Sequence, residues 1–218
     1  NIKKNKKILS IGSGRGVAEL KLLDLGYNIT LSDIDYPKGL GKLKRNFKNL
    51  KFLKFNILKN KIKNKYDVII CFNLIYAFDK LTLNRFFKNC KKIVNNKGVI
   101  VISPGSSTLN IYKLIYDRLY LPIETYFLFL LSFLKKKKFE IFKFHHGYTY
   151  SNMDIISSAR ENSLILTKKI VRRDFISEFD RSIILKELIS RNDVIKKIFT
   201  LVGKRIPFVN FFYFEIKK

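Results

Sequence analysis

The stretch Ile8–Gly16, ILSIGSGRG, constrains the fold of this chain more than any other. Three apolar residues, Ile8, Leu9 and Ile11, run into glycines at positions 12, 14 and 16, and helix-favouring residues follow from Val17 to Leu25. That order reads as a strand, a tight turn and a helix, the opening of a βαβ unit. Glycine in such a turn takes φ > 0 without steric cost and lets a ligand lie against the main chain. The turn's N–H groups and the N-terminus of the helix then face that ligand.

The glycine spacing separates two cofactor classes. A dinucleotide-binding turn is G-x-G-x-x-G. Here the third glycine comes one place early, and Val17 stands at the last fingerprint position. The stretch resembles instead the first motif of the class I S-adenosylmethionine-dependent methyltransferases, an apolar strand ending in G-x-G-x-G. The family often has an acidic residue where this chain has Ser10. The resemblance implies that Gly12, Ser13, Gly14 and Gly16 face the methionine part of S-adenosyl-L-methionine.

The next segments arrive in the family's order. Gly26 is placed to close the first helix as its C′ residue. A second strand spans Asn28–Ser32 and ends at Asp33. An acid at that point of a βαβ unit can accept two ribose hydroxyl hydrogen bonds. By resemblance Asp33 is the ribose-binding acid and Ile34 the apolar wall beside adenine, with Asp35 a second candidate in the same turn. Residues 36–41, rich in Pro and Gly, read as a turn. A third strand, Lys51–Phe55, leads to Asn56 and Ile57. Many relatives have an acid where Asn56 stands. Either its amide oxygen or the backbone of Ile57 is then expected to meet the adenine.

Tyr66–Cys71 is a continuous apolar run, as suits a parallel strand buried on both faces. Phe72 and Asn73 follow at its C-terminal end, where ligands collect in open α/β sheets, and by resemblance they line the floor near the sulfonium. The Asp/Asn-Pro-Pro-aromatic signature of amino-methylating nucleic-acid enzymes is absent here. CFNLIYAF resembles the apolar segment of small-molecule and sugar methyltransferases. Tyr76–Lys80 spells Y-x-x-x-K, a reductase signature, but it follows strand four rather than lying on the helix after strand five, and so reads as chance. Leu83–Val94 has helical periodicity, Asn95–Gly98 reads as a turn, and Val99–Ser103 is a fifth strand.

After Pro104 the pattern changes. The apolar stretch 119–134 is followed by four lysines, 135–138. It is too short for a membrane span and holds Pro122 and Glu124. Two readings stay open: a helical cap over the substrate site, or an interfacial patch on anionic lipid through residues 119–138. FHHGYTY holds both histidines, His145 and His146, either of which could deprotonate an acceptor hydroxyl. Ser151 and Asp154 make a capping-box pattern ahead of a helix over Ser151–Asn162. Leu164–Arg172 reads as a sixth strand, Asp174–Thr200 as mostly helical, and Phe208–Ile216 as a last, antiparallel strand.

The expected architecture is therefore α/β: a doubly wound, mostly parallel seven-stranded sheet of Rossmann-like methyltransferase type in one domain, 1–218, with a helical insertion over roughly residues 106–140. The chain begins at Asn1, and the first strand starts at once, so an N-terminal piece is expected to precede it. The net charge of +27 fits an anionic partner, but the lysines are scattered and Ala occurs only at 18, 77 and 159, the profile of AT-rich coding. Cys71 and Cys90 make neither a zinc motif nor a disulfide framework, and a cytoplasmic setting is the default. The leading expectation is methyl transfer from S-adenosyl-L-methionine to a small-molecule, sugar or lipid-linked acceptor. The rivals are an RNA or DNA methyltransferase using the basic surface, a non-catalytic subunit of the same fold, and an NAD-dependent reductase.

Overall fold

The computed structural model describes residues 3–14, 16–60, 62–104, 115–134, 147–172, 179, 182–206 and 209–217. Contacts divide the chain into two compact units. The first comprises 1–107, 148–170 and 210–218; the second comprises 108–147 and 171–209.

The first unit is built on the sheet. Its strands are β1 (Ile8–Ile11), β2 (Ile29–Asp33), β3 (Lys51–Lys54), β4 (Tyr66–Phe72), β5 (Val94–Ser103), β6 (Leu164–Arg172) and β7 (Val209–Ile216). Their spatial order is β3-β2-β1-β4-β5-β7-β6. β1 pairs in parallel with both β2 and β4, β2 with β3, and β4 with β5, while β7 runs antiparallel to β5. The sheet grows one way from β1 through β2 and the other way through β4. The switch point therefore falls between β1 and β4, and the crevice outside their C-terminal ends is where such sheets bind ligands.

Parallel strands with helices on both faces are buried on both faces, which is why they read as continuous apolar runs. All four residues of β1 are buried. On one side Leu9, Ile11, Ile69, Cys71, Ile100 and Ile102 pack with Phe86 and Phe87 of α3 (Lys80–Ile93) and with Ile155 of α5 (Asn152–Glu161). On the other, Ile8, Ile29, Leu31, Val68 and Ile70 meet α1 (Val17–Asp24) and α2 (Leu40–Asn46). Each fully buried large side chain removes apolar surface worth ~1.5–3 kcal/mol.

The caps agree with the local sequence. At the end of α1 the Gly26 N–H donates to Leu23 and that of Tyr27 to Leu22. Those are the paired bonds of a Schellman motif. Ser151 and Asp154 form a reciprocal capping box on α5. Two segments differ from expectation. The Pro/Gly turn runs into α2, a helix that its glycines and lysines obscure. Residues 95–98, expected as a turn, lie within β5: the pairing jumps from Tyr66–Val94 to Val68–Val99, so the extra residues are held as a bulge. Gly98 has no room for a side chain, since a Cβ there would meet the Asp67 carbonyl oxygen at 2.8 Å.

In the second unit a π-turn at Tyr116–Tyr120 leads into α4 (Leu121–Leu134), followed by α6 (Ile183–Arg191) and α7 (Asp193–Gly203). Tyr116, Leu121 and Phe179 form its core with Leu185, Ile189 and Phe199. Glu124 is buried there and accepts the Ile184 N–H at 2.7 Å, capping the start of α6. Ile123, Tyr126, Phe127, Leu130 and Phe133 recur at helical spacing on the opposite side of α4 and are exposed. No helix among the described residues is long and apolar enough to cross a membrane.

Candidate cofactor site

The three glycines leave the C-terminal end of β1 with φ of +67° at Gly12, +54° at Gly14 and +69° at Gly16. The left-handed backbone curls the turn so that the Ser13 N–H reaches the Ser32 carbonyl at 3.0 Å and the Gly16 N–H reaches the Ser13 carbonyl at 2.8 Å. The glycines have different reasons for lacking a side chain. A Cβ at Gly12 would sit 2.7 Å from Leu74 Cδ2, and one at Gly16 would sit 2.6 Å from Leu31 Cδ2. A Cβ at Gly14 would meet nothing within 4 Å. Gly12 and Gly16 are thus packing positions, whereas Gly14 opens onto free space. Ser13 Oγ, beside it, is buried without a hydrogen-bond partner among the described residues.

Asp33, at the end of β2, is drawn into this turn. Its Oδ2 accepts the Gly14 N–H and its Oδ1 the Ile34 N–H, both at 2.7 Å. A carboxylate has about four acceptor positions. Each Asp33 oxygen keeps one for a diol. Asp35 points elsewhere: it is 79% exposed and pairs with Lys54 Nζ at 3.3 Å. Ile34 is exposed beside the turn, as a wall residue must be.

At the end of β3, Asn56 Oδ1 accepts the Leu58 N–H at 2.9 Å and its own N–H donates to Asn60 Oδ1 at 2.8 Å. The amide oxygen serves its own turn and has one lone pair left. The Ile57 side chain lies in the core, and its carbonyl accepts from Asn89 Nδ2 at 2.8 Å, so its N–H is the group left to face a base. Phe72 closes β4 and meets Phe211 edge-on at 6.0 Å. Asn73 is exposed with φ +52°, the left-handed region that asparagine enters more readily than other non-glycine residues. Its N–H is anchored on the Ser103 carbonyl at 2.9 Å. One residue on, Leu74 covers Gly12.

His145 and His146, like lysines 135–138, lie outside the described residues. Nearby, the Tyr148 N–H donates to the Tyr76 carbonyl at 2.7 Å. The Tyr150 hydroxyl donates to the Phe78 carbonyl, and burial, with the charges of Asp79, Tyr148 and Asp154, pushes its pKa up to about 12. This segment is therefore tied to the loop after β4. Cys71 and Cys90 are free and buried, and burial pushes both thiols up. No cluster of His, Cys, Asp and Glu among the described residues could hold a metal ion. A cavity of about 440 Å³ at the opposite end of β2 and β3, lined by Tyr27, Lys48 and Lys51, takes no part in this arrangement.

The sequence reading missed one functional candidate, Glu19. It is 4% exposed and accepts the Ser10 hydroxyl at 2.7 Å. A signal was present: Glu19 lies three and four residues before Leu22 and Leu23, on the inward face of α1.

The residues present suit an S-adenosyl-L-methionine-type ligand: a turn open at Gly14, a polar atom awaiting a partner at Ser13 and a carboxylate with vacant acceptor positions one strand over. The model of a methyltransferase domain matches residues 1–123. No curated protein sequence matches the chain. Among solved structures, a putative sarcosine dimethylglycine methyltransferase from Galdieria sulphuraria superposes with a TM-score of 0.60 at 15% identity, over 99% of this chain and 80% of that one. The cyclopropane synthase MmaA2 from Mycobacterium tuberculosis gives 0.58 at 17% identity, over 98% and 79%. The 1,6-didemethyltoxoflavin-N1-methyltransferase from Burkholderia thailandensis, solved with S-adenosylhomocysteine, gives 0.57 at 9%, over 98% and 72%. At these identities the likeness is one of fold.

Proposed function

The chain belongs to the methyltransferase domain family and is an S-adenosyl-L-methionine-dependent enzyme, and from that premise we propose that its acceptor is a small-molecule or lipid-linked compound. The single observation that carries the reading of the site is the open face of the Gly14 turn with Asp33 bonded to it. In this reading the turn holds the amino-acid end on its open face at Ser13 and Gly14, with the Ser13 hydroxyl donating to it, while Gly12 and Gly16 shape the turn by packing against Leu74 and Leu31. Asp33 accepts from the two ribose hydroxyls. Ile34, Asn56 and the Ile57 N–H border the adenine. Phe72 and Asn73 form the floor, Asn73 being held there by its anchored left-handed backbone.

When bound, the cofactor supplies an activated methyl on a sulfonium. The chain's task is then alignment of the acceptor with that methyl, which lowers the entropic part of the barrier. A base is needed only when the acceptor atom carries a proton, and His145 and His146 are assigned that work. His146 stands two residues before Tyr148, whose N–H is fixed on Tyr76.

Among the structural neighbours, the Burkholderia enzyme is a 1,6-didemethyltoxoflavin-N1-methyltransferase solved with 1,6-didemethyltoxoflavin bound, and another, CmaA1, is a mycolic acid cyclopropane synthase. The exposed aromatic and aliphatic stripe of α4, with four lysines directly after it in sequence, supports an amphiphilic acceptor or an anionic lipid surface. The absence of the Asp/Asn-Pro-Pro-aromatic signature tells against nucleic acid. The test is transfer of a labelled methyl from S-adenosyl-L-methionine into three pools: water-soluble metabolites, a lipid extract and total RNA. Label in either of the first two supports the assignment. Label in RNA alone, with binding that weakens steeply as salt rises, overturns it.

A further inference from the structure

We propose that Glu19 is the anionic anchor for the ammonium group at the cofactor's amino-acid end, an assignment that rests on the methyl-transfer reading above. A carboxylate in the interior is expensive unless a cation meets it. Glu19 is 4% exposed, and among the described residues no Lys, Arg or His forms an ion pair with it. Oε1 takes the Ser10 hydroxyl at 2.7 Å. No described residue donates to the other oxygen. One neutral hydroxyl does not balance a buried negative charge.

The position of this charge indicates what balances it. Ser10 is on β1, two residues before Gly12, and its carbonyl accepts the Ser32 hydroxyl at 2.7 Å, which fixes the strand end. The Glu19 charge also helps to push up the thiol of Cys71 on β4. The carboxylate therefore lies beside β1, two residues before the glycine turn, on the β1–β4 side of the switch point. A ligand carrying an ammonium at its amino-acid end supplies there a cation that no described side chain provides. Ser10 acts as a positioning residue, holding the carboxylate through its hydroxyl.

Calorimetry on the full chain with two ligands tests this. S-adenosylhomocysteine carries the ammonium; 5′-methylthioadenosine has the same nucleoside and sulfur but no amino-acid end. Glu19→Gln should weaken S-adenosylhomocysteine at least tenfold and leave methylthioadenosine within about twofold, with the thermal midpoint little changed. Equal losses for both ligands, or no loss for either, overturn the proposal. Should Glu19→Gln fail to fold, the swap Ser10→Asp with Glu19→Ser moves the acid across the same hydrogen bond. Retained preference for S-adenosylhomocysteine then supports the anchor, and a lost preference overturns it. If the unaltered chain binds neither ligand, the underlying cofactor reading fails and the anchor falls with it. Binding of both by the unaltered chain with an indifferent Glu19→Gln removes the anchor alone.

Discussion

Replacing each glycine of the β1–α1 turn by alanine separates the packing role of that turn from its ligand role. At Gly14, φ of +54° penalises a Cβ by ~1–2 kcal/mol. Roughly 0.4–1 kcal/mol returns through the stiffer unfolded chain. No steric term is added, because the methyl meets nothing within 4 Å. Gly14→Ala should therefore cost about 1 kcal/mol, a fall of about 2–4 °C in thermal midpoint for a chain of this size. Gly16→Ala has the same backbone penalty, but its methyl would lie 2.6 Å from Cδ2 of the buried Leu31. Overpacking adds ~1–3 kcal/mol, so its midpoint should fall about two to four times as far. Gly12→Ala meets the half-buried Leu74 at 2.7 Å and should lie between the two. Ligand affinity should rank differently. The Gly14 methyl fills the open face of the turn, so S-adenosylhomocysteine binding should drop at least tenfold, about 1.4 kcal/mol, in the most stable of the three variants. Thermal unfolding and calorimetric titration of the set are the assay. A folded Gly14→Ala protein with unchanged affinity would refute the turn as the cradle. A Gly16→Ala protein as stable as Gly14→Ala would refute the steric ranking.

Two further outcomes follow from single carboxylates. Asp33→Ala should weaken S-adenosylhomocysteine by ~1–3 kcal/mol through lost charge-assisted bonds, while Asp35→Ala, whose carboxylate is turned to Lys54, should leave affinity unchanged in the same titration. The Ser151 hydroxyl and N–H hold Asp154 below the ordinary value of 3.8. A carboxyl depressed on folding stabilises fully above its unfolded value, and that contribution disappears as pH falls through the lower folded value. Urea unfolding of the unaltered chain and of Asp154→Asn should accordingly differ at pH 6, begin to approach each other only below about pH 3.8, and coincide once the pH is under the lower folded value; a gap that widens on acidification would contradict the capping assignment.

Near-neighbour chemistry made much of this protein legible in its text. A strand running into alternate glycines, a Gly C′ residue after Leu25, a Ser–Asp capping box and apolar runs of parallel-strand length each depend on residues a few places apart. Helical and strand periods and φ > 0 are properties of short segments, so those elements were readable before any contact was known. α2 was hidden because glycines and lysines in a short segment carry little apolar period, and it forms because Leu40 and Leu43 find a sheet face to pack on. The sequence placed Asp33 first and Asp35 second as the ribose-binding acid. Only the fold shows that Asp33 is bonded to the Gly14 N–H, nineteen residues away, while Asp35 is turned to a lysine on β3. The distinction between Gly14 and its two neighbours depends on Leu74 and Leu31, side chains brought in by other strands and loops. Glu19 shows the division most sharply. As text it is an acid in the first turn of a helix, and its spacing to Leu22 and Leu23 hints only at the inward face. Only when α1 docks on β1 does its carboxylate become a buried charge beside Ser10, because burial, and hence the cost of an unpaired ion, is a property of what surrounds a residue rather than of the residue itself.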